Sequence, residues 1–319
     1  MTIGFYNLEN LFDTEDDPNT IDEEFTPKGE RQWTLDKYQD KLNKLARVIS
    51  QLGRVEEGRP LGILGVCEIE NRKVLEDLVR TDALSGQYLK IVHHDSKDPR
   101  GVDVALLYQP RLFTVLQSRS IGIPLVDSDG QSRKTRDILL VKGKTSNQNL
   151  YILVNHWPSR RGGQAQTQAY RYLAAQVNKA LADSVLARDP GAGVIIMGDL
   201  NDNPDDKSLT DAIGAQSEPD AVKENGFYNP FYKHYRRGEG STAYQDAWSL
   251  FDQILISGNL IKAELPRALQ YESNRVFRRD FMIDAEGHFR HYPKRTFSGS
   301  AYQGGYSDHF PVLCHFQIR

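Results

Sequence analysis

Apolar residues recur along this chain with two different periods. Continuous or alternating apolar runs predict strands at TIGFYNLEN from Thr2, LGILGVCEIE at 61–70, YLKIVHH at 88–94, VDVALLY at 102–108, DILLVKG at 137–143, LYILVNH at 150–156, VIIMGD at 194–199 and FDQILIS at 251–257. Between them, Leu35, Tyr38, Leu42, Leu45, Ile49 and Leu52 fall at helical spacing, with Thr34 placed to cap the start and Gly53 to stop the end. A short helix follows Asn71, with Val74, Leu75, Leu78 and Val79 facing inward, and an Ala-rich stretch at 164–188 predicts a third helix with an Arg and Gln face toward solvent. Strand–helix–strand units mix with strand–strand neighbours. That order predicts an α/β fold of two packed mixed sheets flanked by helices, not a doubly wound sheet. Segment 258–306, rich in Arg, Gly and aromatics but poor in periodicity, reads as a long surface excursion.

The 319 residues carry no linker-like tract and no internal repeat, so a single domain over 1–319 is expected. With 39% hydrophobic and 26% charged residues, and no apolar run long enough to cross a bilayer, the composition is that of a globular protein without a transmembrane segment. A formal net charge of −3 removes any global pull toward polyanions, so such a partner must be held by local basic groups or a bound cation. Residues 13–24 hold seven carboxylates and no Lys or Arg, a solvated loop by its lack of a turn glycine, whereas 227–237 mixes Lys233, Arg236 and Arg237 with five aromatics. That second stretch and the Arg-rich 275–295 are candidates for a substrate rim, with Arg236 and Arg237 as contacts. Cys67 and Cys314 sit in apolar runs and read as small buried hydrophobes. The chain starts almost flush with its first strand, which leaves open a leader removed before residue 1, and with it a cytoplasmic or exported location. Nothing indicates an oligomeric state.

Three strings carry the chemistry: NHWPSR at 155–160, GDLN at 198–201 and SDHFPV at 307–312, each polar where an apolar run meets a loop. Together they read as a metal-dependent phosphoester hydrolase site, since cleaving a phosphate diester requires charge neutralisation, an oriented water and help for the leaving alkoxide. Glu68, ending a buried run, is a hard oxygen ligand suited to Mg²⁺, with Mn²⁺ as the substitute. Asn7 is placed to orient that carboxylate or touch phosphate. Asp199 and Asn201, if the strand continues, point to one side and pair a water-orienting carboxylate with an amide for a phosphoryl oxygen. Asp308 adds a metal-directed carboxylate, and His309 an imidazole whose tautomer needs a carboxylate partner, for which Asp252 is the candidate. His156 stands above the remaining histidines. Arg100 is a candidate phosphate contact and Asp103 a candidate partner for His156.

These motifs, in this order over nearly the full length (YNLEN, CEIEN, NHWPSR, GDLN, FDQIL, SDH), resemble the endonuclease/exonuclease/phosphatase superfamily, the fold of deoxyribonuclease I, abasic-site endonucleases, neutral sphingomyelinases and inositol-polyphosphate 5-phosphatases. The resemblance implies a four-layer α/β sandwich and Mg²⁺-assisted in-line attack of water on a phosphoester. It further implies metal binding by Glu68 and Asp308, water orientation by Asp199, phosphate and metal support by Asn201 and Asn7, and Asp252 holding His309. NHWPSR replaces the Asn- and Tyr-containing loop of abasic-site enzymes, and FDQIL lacks the Trp-Cys and Arg of the 5-phosphatases. Bacterial nuclease-like members fit best. The expectation is a phosphodiesterase acting on DNA or RNA, with a phospholipid or sphingomyelin phosphodiesterase as the alternative and a catalytically silent binding module as the third reading.

Overall fold

The computed structural model describes residues 1–53, 59–127, 129–223, 225–262, 266 and 268–318. Twelve strands build two large sheets: β1 (Thr2–Leu11), β2 (Leu61–Ile69), β3 (Lys90–His93), β4 (Asp103–Tyr108), β5 (Thr114–Ile121), β6 (Ile138–Thr145), β7 (Gln148–His156), β8 (Gly193–Asp199), β9 (Phe227–Tyr228), β10 (Asp252–Ser257), β11 (Leu269–Val276) and β12 (Val312–Ile318). The first sheet has the order β11-β12-β1-β2-β4-β3 and the second β9-β10-β8-β7-β6-β5. In each, the two central strands are parallel (β1 with β2, β7 with β8) and the remaining neighbours are antiparallel. Helices α1 (Leu35–Leu52) and α2 (Arg72–Arg80) cover one outer face and α3 (Gln164–Arg188) the other.

Three apolar clusters separate these layers. One joins α1 and α2 to the first sheet through Leu45, Ile49, Leu64 and Val66. A second lies between the sheets, where Ile3, Phe5 and Cys67 meet Val154, Met197 and Ile254. The third packs α3 on the second sheet through Ala174, Ala182, Leu153 and Ile196. This is the four-layer α/β/β/α sandwich expected from the pattern. Alternation explains the division: with period 2, Phe5 and Ile3 face the partner sheet while Tyr6 and Leu8 face α1. Asn71 caps α2 by accepting from the Val74 amide, and Gly53 follows α1, whereas the Thr34 side chain makes no cap bond.

Three expectations require correction. Segment 258–306 is not a surface excursion. It supplies β11 and buries Leu269, Phe277, Met282, Phe297 and Tyr306, because β11 pairs with β12 and the chain then folds back over α1. Of the five aromatics of 227–237, Phe227, Tyr228 and Phe231 are buried in the core and unavailable to a rim, while Tyr232 and Tyr235 are half-buried and Arg236 and Arg237 stand exposed at the end of a five-residue helix. The acidic loop is also less solvated than expected, with Asp13 and Asp22 buried. Cys67 and Cys314 are both buried and unbridged, on strands separated by β1.

Candidate active site

The site lies where both pairs of central strands end together. Asp199 faces His156 across the parallel β7–β8 pair and Asp252 across the antiparallel β8–β10 pair, so the three occupy one row of the second sheet. Two residues away on each strand, Val154, Met197 and Ile254 point between the sheets. By period 2 the three polar side chains therefore point to that same space. Asn7 stands in step with Phe5 and Ile3 and faces them from the first sheet.

Alternation alone would send Glu68 toward the helices with Val66. Instead β2 bulges against β4 between Cys67 and Ile69, and Glu68 takes a left-handed conformation with φ 57°. A bulge of this kind re-aims a side chain, and a non-glycine residue at positive φ persists where the surroundings over-determine it. Glu9 and Asn10, at φ 50° and 51°, break the β1 ladder at the same level, and the Asn10 amide donates to Glu68 Oε2 at 3.0 Å. Asn7 Nδ2 then bridges the sheets, reaching Glu68 Oε1 at 3.3 Å and Asp199 Oδ2 at 3.1 Å. His156 Nε2 stands 3.8 Å from Glu68 Oε1 and 3.7 Å from Asp199 Oδ2.

The SDH loop closes the other side. Ser307 donates to the Asn7 carbonyl and accepts from the His309 amide, and Thr242, on a hairpin that sequence reading left unassigned, donates to the Asp308 carbonyl. His309 Nδ1 meets Asp252 Oδ2 at 2.6 Å, which leaves Nε2 facing Asp199 Oδ2 at 3.9 Å and Asp308 Oδ1 at 4.0 Å. Asn201 lies beside Asp199 for a different reason than a continuing strand: β8 ends at Asp199, and Asn201 turns back at φ 51° with its amide bonded to Asp199 Oδ1. Its Nδ2 donates to the Trp157 carbonyl.

Electrostatics separate the two histidines. Burial and the nearby Arg136 and Arg100 push the His156 pKa well below its ordinary value, so this imidazole is neutral. Burial also opposes a charge on His309, but Asp252, Asp199 and Asp308 outweigh it and raise the pKa well above the usual range. Two like groups pushed in opposite directions are the pattern of an acid and a neutral hydrogen-bonding partner. Burial first, and then Asp252 and Glu68, lift Asp199 to about 6 despite His309.

This crowding of carboxylates fits a cation. Glu68, His156 and Asp199 each offer a ligand atom within 4.8 Å of the others, as do Asp199, Asp252 and His309, whereas Asp308 joins neither group. The Asp308 side chain faces the same space from its loop, 30% exposed and 3.5 Å from Arg295. Glu68 with amide and carboxylate neighbours is an oxygen-rich set, the chemistry preferred by a hard ion that keeps several of its waters.

Of the remaining candidates, Asp103 does not meet His156. It accepts from the Ser96 amide and from His93 Nε2 at 2.9 Å, because it begins β4 beside β3. His156 Nδ1 has no hydrogen-bond partner among the described residues. Arg100 is exposed beside Asp98 at 3.5 Å. Arg236 and Arg237 make no ion pair among the described residues.

Sequence reading missed Arg136 and underrated Arg160. Buried Arg136 donates to the Trp157 carbonyl at 2.7 Å and to Asp98 at 3.1 Å. Arg160 clasps the GDLN loop through the Asn201 carbonyl, Asp202 and Asp206. An arginine just before an apolar run was the only available signal for the first.

A family model described as Endonuclease/Exonuclease/phosphatase family matches residues 2–318. Among curated proteins, none matches the sequence. The fold is similar to that of D. rerio TDP2 in a humanized form carrying 14 mutations, at 14% identity over 99% of this chain and 98% of that one, with a TM-score of 0.60. It is similar to D. rerio TDP2 complexed with single strand DNA product, at 13% identity over 99% of each chain and a TM-score of 0.57. It is also similar to the human Nocturnin catalytic domain with bound sulfate anion, at 14% identity over 88% and 87% and a TM-score of 0.53. With two mixed sheets between helical layers and a family match spanning nearly every residue, the chain belongs to the endonuclease/exonuclease/phosphatase family.

Proposed function

We propose that this protein is a divalent-metal-dependent phosphodiesterase acting on nucleic acid. The observation that carries this reading is the bridge at the sheet ends, where Asn7 joins Glu68 of one sheet to Asp199 of the other beside two histidines of opposite charge preference. Glu68 and Asp308, supported by Asn7, would hold Mg²⁺ or Mn²⁺, which when bound neutralises charge on the phosphoryl oxygens. Asp199 orients the attacking water and accepts its proton. Protonated His309, held by Asp252, donates to an oxygen of the phosphoryl group as charge builds there, while the ester P–O bond opposite the attacking water breaks and the departing alkoxide takes a proton from solvent. His156, neutral, and Asn201 contribute hydrogen bonds to the remaining oxygens. Arg100, Arg236 and Arg237 are the proposed contacts to substrate beyond the scissile bond.

Nucleic acid is preferred over lipid on two grounds. The aromatics that a membrane-facing loop would need are buried at Phe227, Tyr228 and Phe231, and a TDP2 of the same fold has been captured with single strand DNA product. A silent binding module would leave a row of buried carboxylates in mutual repulsion with nothing gained. The test is hydrolysis of single-stranded and supercoiled DNA, RNA, sphingomyelin and bis(p-nitrophenyl) phosphate with Mg²⁺, Mn²⁺ or chelator. Cleavage of nucleic acid that chelator abolishes is expected. Hydrolysis of sphingomyelin alone, or none with any metal, would overturn the proposal.

A further inference from the structure

Beside the site runs a cleft of about 370 Å³ whose walls carry five cations, Arg100, Arg133, Lys134, Arg136 and Arg161, against one carboxylate, Asp98. In a chain of net charge −3, this concentration of positive charge marks a local site for an anion. Asp98 is already engaged by Arg136 at 3.1 Å and Arg100 at 3.5 Å, and Arg133 by Asp127 at 2.9 Å. Lys134 and Arg161 have no ion-pair partner among the described residues, and the buried Nε of Arg136 has no hydrogen-bond partner among them. The first turn of the 25-residue helix α3 closes one wall through Thr167, adding the partial positive charge of a helix start. Apart from the rings of Pro99 and Pro158, the lining side chains are polar, charged or aromatic, which gives an acyl chain little to contact. Its one aromatic ring is Tyr170, over which Arg133 stands at 5.1 Å.

The cleft shares a wall with the reaction centre. The Trp157 carbonyl accepts from Arg136 on the cleft side and from Asn201 on the other, and His156 is the residue before it. We propose that this cleft seats a second phosphate of a nucleic-acid strand whose scissile phosphate lies at Asp199 and His309, so that the strand runs from the sheet ends past Trp157 toward α3. The catalytic part of this inference rests on the phosphodiesterase reading. The binding part does not.

The test pairs the full chain with a Lys134→Gln/Arg161→Gln variant, both positions being exposed. Anisotropy of a fluorescein-labelled ten-nucleotide single-stranded DNA, measured in chelator, gives binding without turnover. The variant is expected to bind about tenfold more weakly at low salt, and the slope of log affinity against log salt to flatten by roughly 1.4, the share of two contacts on a single strand. With metal, its preference for the oligonucleotide over bis(p-nitrophenyl) phosphate should fall by the same factor. Unchanged affinity and salt slope would overturn the proposal, as would loss of binding only to phosphatidylglycerol vesicles. Weakened oligonucleotide binding in a protein that hydrolyses no phosphodiester would uphold the cleft and sink the enzymatic reading.

Discussion

Replacing His309 by Ala strands the Asp252 carboxylate, and the structure lets the consequence be worked out. Asp252 is fully buried, its Oδ2 is 2.6 Å from His309 Nδ1, and its Oδ1 has no hydrogen-bond partner among the described residues. Removing one partner of such a pair leaves an uncompensated charge and costs about 3–5 kcal/mol. At about 2 °C per kcal/mol for a chain of this size, His309→Ala should melt about 6–10 °C below the parent. Neutralising the orphan in Asp252→Asn/His309→Ala should recover most of that loss. Activity should behave oppositely. Each single change is expected to cost about 10²–10³ in kcat, the range for a lost proton donor, while the double variant stays within about threefold of the weaker single instead of showing their product. Circular dichroism melts and hydrolysis of bis(p-nitrophenyl) phosphate give the two readouts. A His309→Ala protein that melts with the parent, or a double variant whose losses multiply, would refute the pairing as the basis of either effect.

Glu68→Ala should raise the metal concentration needed for half-maximal activity by about tenfold or more, since an ion that takes one or two carboxylates loses much of its anchoring; metal titrations of turnover check this. Asp199→Asn should lower kcat by about a hundredfold or more without lowering the melting temperature, because the amide cannot take a proton yet relieves the repulsion with Asp252 and Glu68; a melt of the purified variant alongside kcat measurement separates the two. His315, buried on β12 with Nδ1 3.1 Å from Thr2 Oγ1, is pushed down to about 4 by burial and by Arg275 and Arg59. The unfolded chain therefore binds this proton first, and its contribution is present above about 6.5 and lost as pH falls toward 4, on the order of 2 kcal/mol once screening by water is allowed for. Denaturant melts at pH 7 and 4.5 should show a shallower acid loss for His315→Gln than for the parent.

Layer order and these strand positions were legible because period-2 and period-3.6 patterns report which face is apolar, and all eight expected strands begin and end within two residues of their observed bounds. Strand β11 was not legible: its Gln270, Glu272, Ser273, Asn274 and Arg275 give an edge strand little apolar signature, and β12 on one side is what holds it. Site residues at strand ends were visible as polar breaks in apolar runs. Their mutual arrangement was not, since Glu68 and Asn201 reach the site through left-handed backbone that no periodicity encodes. The misassigned partner of His156 has the same origin: pairing of Asp103 with His93 depends on β3 lying beside β4, a long-range fact of topology.

Strand β1 lies between β2 and β12, so its two edges are satisfied by segments at opposite distances along the chain. During synthesis β2 becomes available early, but the β12 edge of β1 stays open until some 300 further residues have been made, on the order of 15–60 s at ordinary elongation rates. For that interval a mostly apolar strand presents unpaired amides and carbonyls, the form most prone to pairing with another chain. The same closure brings Asp308 and His309 to Asn7. The docking of β12 is therefore a single event that ends the exposure of the β1 edge and brings the SDH loop to the ends of the central strands.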